Sequence, residues 1–141
     1  MNILYATTKG WNIGDEAILE GCISLMTSVH GIHNKFIYNK HPYLAIKPVE
    51  GEVLNLDNSV DLGDNLDFID VFVMAGTPSN FEGLNEEFNF AVKNRGKNIP
   101  AYYLGLGQSI EGMDENLYSF MKDVDLVTVR DESLVSQYRE K

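Results

Sequence analysis

An α/β domain with a parallel sheet covered on both faces is the fold class this sequence predicts. Three observations predict it. Apolar runs of four to six residues recur between segments with helical spacing. Those runs are near-continuous rather than alternating, as strands buried on both sides require. The residues directly after several of them are glycines and small polar side chains, as at the ligand edge of an open α/β sheet.

The first run, Ile3-Leu4-Tyr5-Ala6-Thr7, suits a central strand. It opens into the loop Thr8 to Gly14, and from Asp15 the spacing turns helical. Ala17, Ile18, Cys22, Met26 and Val29 share one predicted face, widened by Leu19, Ile23 and Leu25. Asp15 and Glu16 suit the positive end of this helix, and Gly31 stands where it would stop. Lys35-Phe36-Ile37-Tyr38 reads as a second strand and Val53-Leu54-Asn55-Leu56 as a weaker third, with His41-Pro42 and Lys47-Pro48 excluding a long helix between them. Asp57 to Asp70, with five aspartates and Gly63, reads as a loop.

Asp70-Val71-Phe72-Val73-Met74-Ala75 is the clearest buried strand, and it runs into the turn-rich Gly76-Thr77-Pro78-Ser79-Asn80. Asn85 to Lys97 is a helix candidate with Phe88, Ala91 and Val92 inward. The next strand, Ala101 to Leu106, opens into Gly107-Gln108-Ser109. A short helix over Glu115 to Met121 leads to Leu126-Val127-Thr128-Val129, read as another buried strand, and a terminal helix covers Leu134 to Lys141. The total is about six strands in one domain over residues 1–141.

Composition narrows the function. The chain has 141 residues with 11 basic and 21 acidic side chains, a formal charge of −10, and its eight Lys and three Arg are scattered, which argues against nucleic acid or an anionic membrane as partner. The longest apolar run, Val71 to Ala75, is far short of the ~20 residues that span a bilayer. The start, Met1 to Tyr5, lacks a basic segment and a cleavage site. A single cysteine, Cys22, makes no internal disulfide and lies on the apolar stripe. A cytoplasmic setting is the expectation.

Four strand ends carry the candidate chemistry. Glycines of the first loop let backbone N–H groups approach a ligand, but neither a Walker A loop nor a G-x-G-x-x-G fingerprint is present. Asp15 would either take a proton or hydroxyl hydrogen bond from a substrate or cap its helix, and Asn12 either shapes the loop or only turns it. The Gly76-Thr77 and Gly107-Gln108-Ser109 segments are ligand loops or plain turns. Arg130, after the last strand, would offer a fork to a carboxylate or phosphate, or pair with Asp131, Glu132 or Asp15. His30, His33 and His41 lack spaced metal partners, no metal or cofactor site is predicted, and Tyr102 and Tyr103 read as sheet residues.

Taken together, Asn12-Ile13-Gly14-Asp15-Glu16-Ala17-Ile18-Leu19, Gly107-Gln108-Ser109-Ile110 and Val127-Thr128-Val129-Arg130-Asp131-Glu132-Ser133 resemble, in order and spacing, the polysaccharide pyruvyl transferase family. Two positions depart from it: Ala75-Gly76-Thr77-Pro78 replaces a glycine-rich run, and Glu111 replaces a glycine. The resemblance implies a Rossmann-like domain, the amino-terminal half of a glycosyltransferase-B-like enzyme, with a second domain or a homo-oligomer completing the site. It implies transfer of the pyruvyl unit of phosphoenolpyruvate to two hydroxyls of a glycan or lipid-linked sugar, forming a ketal. By the same resemblance Asp15 contacts or deprotonates the acceptor, Arg130 holds the donor anion, Asn12 and Gly14 shape the acceptor loop, and Gln108 and Ser109 line the cleft. The alternatives are a non-catalytic sugar or nucleotide-sugar binding module, and a flavodoxin-like association domain.

Overall fold

A computed structural model of the chain describes residues 1–7, 13–39, 67–76, 86–96, 98–107 and 110–139. Within them lie five strands, β1 (Asn2–Thr7), β2 (Asn34–Asn39), β3 (Val71–Ala75), β4 (Ala101–Leu106) and β5 (Leu126–Val129). Four helices join them: α1 (Ile13–His30), α2 (Glu86–Asn94), α3 (Glu115–Met121) and α4 (Glu132–Arg139). The strands form one sheet, ordered β2-β1-β3-β4-β5, and every pairing is parallel. The doubly wound α/β reading holds, and the expected third strand, Val53 to Leu56, lies outside the described residues.

Alternation along the strands sorts the core into two layers. Ile3, Tyr5, Ile37, Val71, Val73 and Leu104 face α1, where Leu19, Cys22 and Met26 meet them. Leu4, Ala6, Phe72, Met74 and Tyr103 face the other way, onto Phe88 and Val92 of α2 and Leu117 and Phe120 of α3. Each such side chain fully withdrawn from water contributes about 1.5–3 kcal/mol. Because β1 to β4 are buried on both faces, hydrophobic runs without polar alternation are what this sheet needs.

Two buried polar pairs lie inside these layers. Tyr103 Oη donates to Asn89 Oδ1, both residues being inaccessible. His33 Nδ1 stands 3.0 Å from the Gly31 carbonyl and Nε2 stands 2.7 Å from Tyr5 Oη. A carbonyl only accepts, so Nδ1 carries the proton and Nε2 receives the tyrosine's. His33, which the sequence leaves without spaced metal partners, is buried and held by these two contacts.

Three expectations are corrected. α1 starts at Ile13, two residues before Asp15, so Asp15 lies inside the first turn. Its inward stripe is Glu16, Leu19, Cys22 and Met26, whereas Ala17 and Val29 are exposed, Val29 by 64%. At 100° per residue Ala17 lies on the face nearly opposite Leu19, and Val29 stands in the last turn, one residue before the helix ends at His30. β5 is half-buried rather than buried: like β2 it has a neighbour on one side only, and a cavity between α3 and α4 runs along Leu126 to Val129.

Candidate functional site

Parallel strands bring all their carboxyl ends to one rim. β1 ends at Thr7, β3 at Ala75 before Gly76, β4 at Leu106 before Gly107, and β5 at Val129 before Arg130. α1 begins at the same rim, because it must return along the sheet before β2 can run parallel to β1. Asp15 and Arg130, divided by more than a hundred positions, therefore lie at one edge. The chain order reverses direction between β1 and β3, and at such a switch point the crevice outside the strand ends holds ligands in open α/β sheets.

Two glycines bring the rim together around Ile18, one turn beyond Asp15. A Cβ built on Gly76 would stand 3.7 Å from Ile18 Cγ2, and one on Gly105 would stand 3.7 Å from the same atom and 3.8 Å from Arg130 Cγ. Gly76 and Gly105 have φ of 101° and 75°, a region glycine enters without steric cost. Gly105 also breaks the ladder: the β4–β5 register shifts between Tyr103 and Leu106, and the Gly105 N–H donates to Thr128 Oγ1 at 2.8 Å. This bulge re-aims the end of β5, and the Arg130 N–H then donates to the Leu106 carbonyl at 3.0 Å.

The Arg130 side chain lies back across Gly107. A Cβ there would fall 2.5 Å from its Cζ and 2.6 Å from its Nε, so only glycine leaves room for the guanidinium in this pose. Gly107, Arg130, Asp131 and Leu134 line an open cavity of about 550 Å³. The Asp131 carboxylate accepts from the Ser133 N–H at 2.9 Å, at the start of α4. That amide, with the Ser133 hydroxyl, holds Asp131 below the usual carboxylate range. Of the ion-pair partners expected for Arg130, Asp131 is thus occupied as a helix cap.

A second cavity, about 570 Å³, runs between α3, β5 and α4 past Tyr118, Val127, Val129 and Tyr138. It lies in the helix packing around β5, and its lining runs from Asp125 before that strand to Val129 at its end.

Of the predicted site residues, the structure brings Asp15, Gly14, Gly76 and Arg130 to the one rim, with Asp15 half-buried and Gly14 and Arg130 exposed. Asn12, Thr77, Gln108 and Ser109 lie outside the described residues. Sequence reasoning missed Thr7, Glu16 and Thr128. Thr7 shares the parity of Ile3 and Tyr5, and Glu16 precedes Leu19 by three, so both periodicities carried the signal. Among the described residues no group of three His, Cys, Asp or Glu side chains could hold a metal ion, and no helix is long and apolar enough to cross a membrane. Cys22 is buried, and burial pushes its thiol up to about 11. Comparison of the chain with family models, curated proteins and solved structures finds no match.

Proposed function

We propose that this domain binds phosphoenolpyruvate through Arg130 and a sugar near Asp15, and serves pyruvyl transfer to two sugar hydroxyls. The observation that carries the reading is the shared rim: a half-buried carboxylate in the first turn of α1 and an accessible guanidinium after β5, linked through Gly105 and Ile18. The motif resemblance supplies the reaction.

In that reaction the methylene carbon of phosphoenolpyruvate takes a proton, and the resulting cation at C2 is attacked by the first hydroxyl. The C2–O bond to phosphate then breaks, and the second hydroxyl closes the ketal. Two hydroxyl protons are released; they balance the proton gained by carbon and the one carried by the departing hydrogen phosphate. Asp15 receives a hydroxyl proton, and the Arg130 fork holds the carboxylate or phosphate of the donor as charge builds on it. By the resemblance, the proton donor and further donor contacts come from a second domain. The net charge of −10 opposes an anionic donor, which makes a local cation at the rim a requirement of the reading.

Phosphoenolpyruvate should raise the melting temperature of the chain, and Arg130→Ala should abolish the rise without lowering the melting temperature in buffer. Gly107→Ala should reproduce that loss in part, since its methyl displaces the guanidinium. Phosphate release in the presence of a β-linked hexose glycan, lost in Asp15→Ala, marks a chain that completes the reaction without a second domain. A phosphoenolpyruvate shift unaffected by Arg130→Ala rejects the reading.

A further inference from the structure

Two polar side chains between α1 and the sheet are out of keeping with their surroundings. Thr7 ends β1 at 1% exposure, and Glu16 sits in the first turn of α1 at 9%. Thr7 Oγ1 and Glu16 Oε1 are both buried, and neither has a hydrogen-bond partner among the described residues.

Their directions follow from the two backbone periodicities. Ile3 and Tyr5 belong to the cluster under α1, so Thr7, two residues on, projects from the same face of the sheet. Leu19, Cys22 and Met26 are the buried apolar residues of α1, and Glu16 continues that stripe one turn earlier. Strand end and helix start lie at the same rim. Both side chains therefore face the layer between α1 and the sheet at its carboxyl-end rim, beside the β1–β3 switch point.

A buried acceptor without a donor opposes folding, and an apolar side chain of similar shape would serve the fold better at either position. The residue types select the missing partner. Glu16 Oε1 is an acceptor without a donor, and the Thr7 hydroxyl donates once and accepts twice. A fully ionised phosphate or carboxylate brings no proton to either side chain, and an ammonium group cannot accept from Thr7. An alcohol both donates and accepts, and two neighbouring alcohols would satisfy both side chains.

We propose that Thr7 and Glu16 form the floor of a site for a neutral polyol, taking adjacent hydroxyls of a sugar. The inference deepens the acceptor half of the function proposed above and rests on it. It divides the work of the first turn of α1: Glu16 and Thr7 bind and orient the sugar, leaving Asp15 for the proton.

The test is thermal unfolding of the chain, its Thr7→Val, Thr7→Ser and Glu16→Gln variants, with methyl β-galactopyranoside or methyl β-glucopyranoside and with acetate as the anionic control. At least one sugar should raise the midpoint of the wild type and of Thr7→Ser, and acetate should not. Thr7→Val should lose the sugar shift while its midpoint in buffer holds or rises, and Glu16→Gln should weaken binding by about tenfold. Three results would overturn the inference: neither sugar shifts the wild type, Thr7→Val keeps the full shift, or Thr7→Val melts lower in buffer. The last would mean that the hydroxyl serves the fold through a trapped water. If Glu16→Gln does not fold, the Thr7→Val and Thr7→Ser pair still decides. An Arg130-dependent phosphoenolpyruvate shift without any sugar shift sinks this inference alone; a sugar shift without a phosphoenolpyruvate shift sinks only the donor half of the reaction.

Discussion

Arg95 and Arg130 stand at opposite edges of one sheet and are treated in opposite ways. Arg95, with its side chain 13% exposed, donates to the Ile99, Val92 and Asp123 carbonyls and to Asp125 Oδ2, at 2.7 to 3.0 Å. Asp125 Oδ2 also accepts from the Ala101 N–H, so one arginine ties the end of α2 to the starts of β4 and β5. The rest of that edge is closed in the same manner: the Asn2 N–H donates to Asp70, and Asn34 Nδ2 donates to Asn2 Oδ1. At the carboxyl-end rim, glycines replace such ties, Arg130 is exposed, and two polar atoms are left buried without donors. Among the described residues, side-chain ties gather at one end of the sheet, and exposed or unpartnered polar groups at the other.

Substitutions can break this contrast. Arg95→Ala should be the most damaging, because it takes the guanidinium donor from three carbonyls and leaves Asp125 with the Ala101 amide alone; about 2–4 kcal/mol of stability should be lost, measured by denaturant unfolding. Gly105→Ala should cost about 1–2 kcal/mol through its left-handed backbone alone, since the added methyl meets Ile18 and Arg130 at ordinary contact distance. A loss confined to ligand binding, with stability unchanged, would show that the bulge is not part of the fold.

Acid sharpens the same comparison. The Ala101 amide, followed by Arg95, holds Asp125 below its ordinary 3.8, so its contribution is complete above that value and is lost as pH falls through it to the depressed one. Asp125→Asn should lower stability at neutral pH and flatten this part of the acid limb, read as melting temperature against pH. Arg130→Ala should have the smallest effect, within about 0.5 kcal/mol, as expected of an exposed side chain with no side-chain hydrogen bond among the described residues. A larger loss would make Arg130 a structural residue like Arg95, and the division between the two edges would fail.

What the sequence by itself determined is the fold class and the places where chemistry can sit. Continuous apolar runs such as Val71 to Ala75 need cover on both faces, and glycines after them mark strand ends, because both signals are local and repeat with a short period. The resemblance selected Asp15 and Arg130 from the same local words. Which of two similar arginines is a clamp was decided by tertiary structure, since the acceptors of Arg95 come from three chain segments. The burial of Glu16 was decided there too: the helix phase relative to the sheet, set by Leu19, Cys22 and Met26 together, turned toward the core a carboxylate that looks like any acidic residue of a first turn. Local pattern names candidates; the packing of distant segments assigns each one its surroundings, and a side chain's chemistry depends on those surroundings.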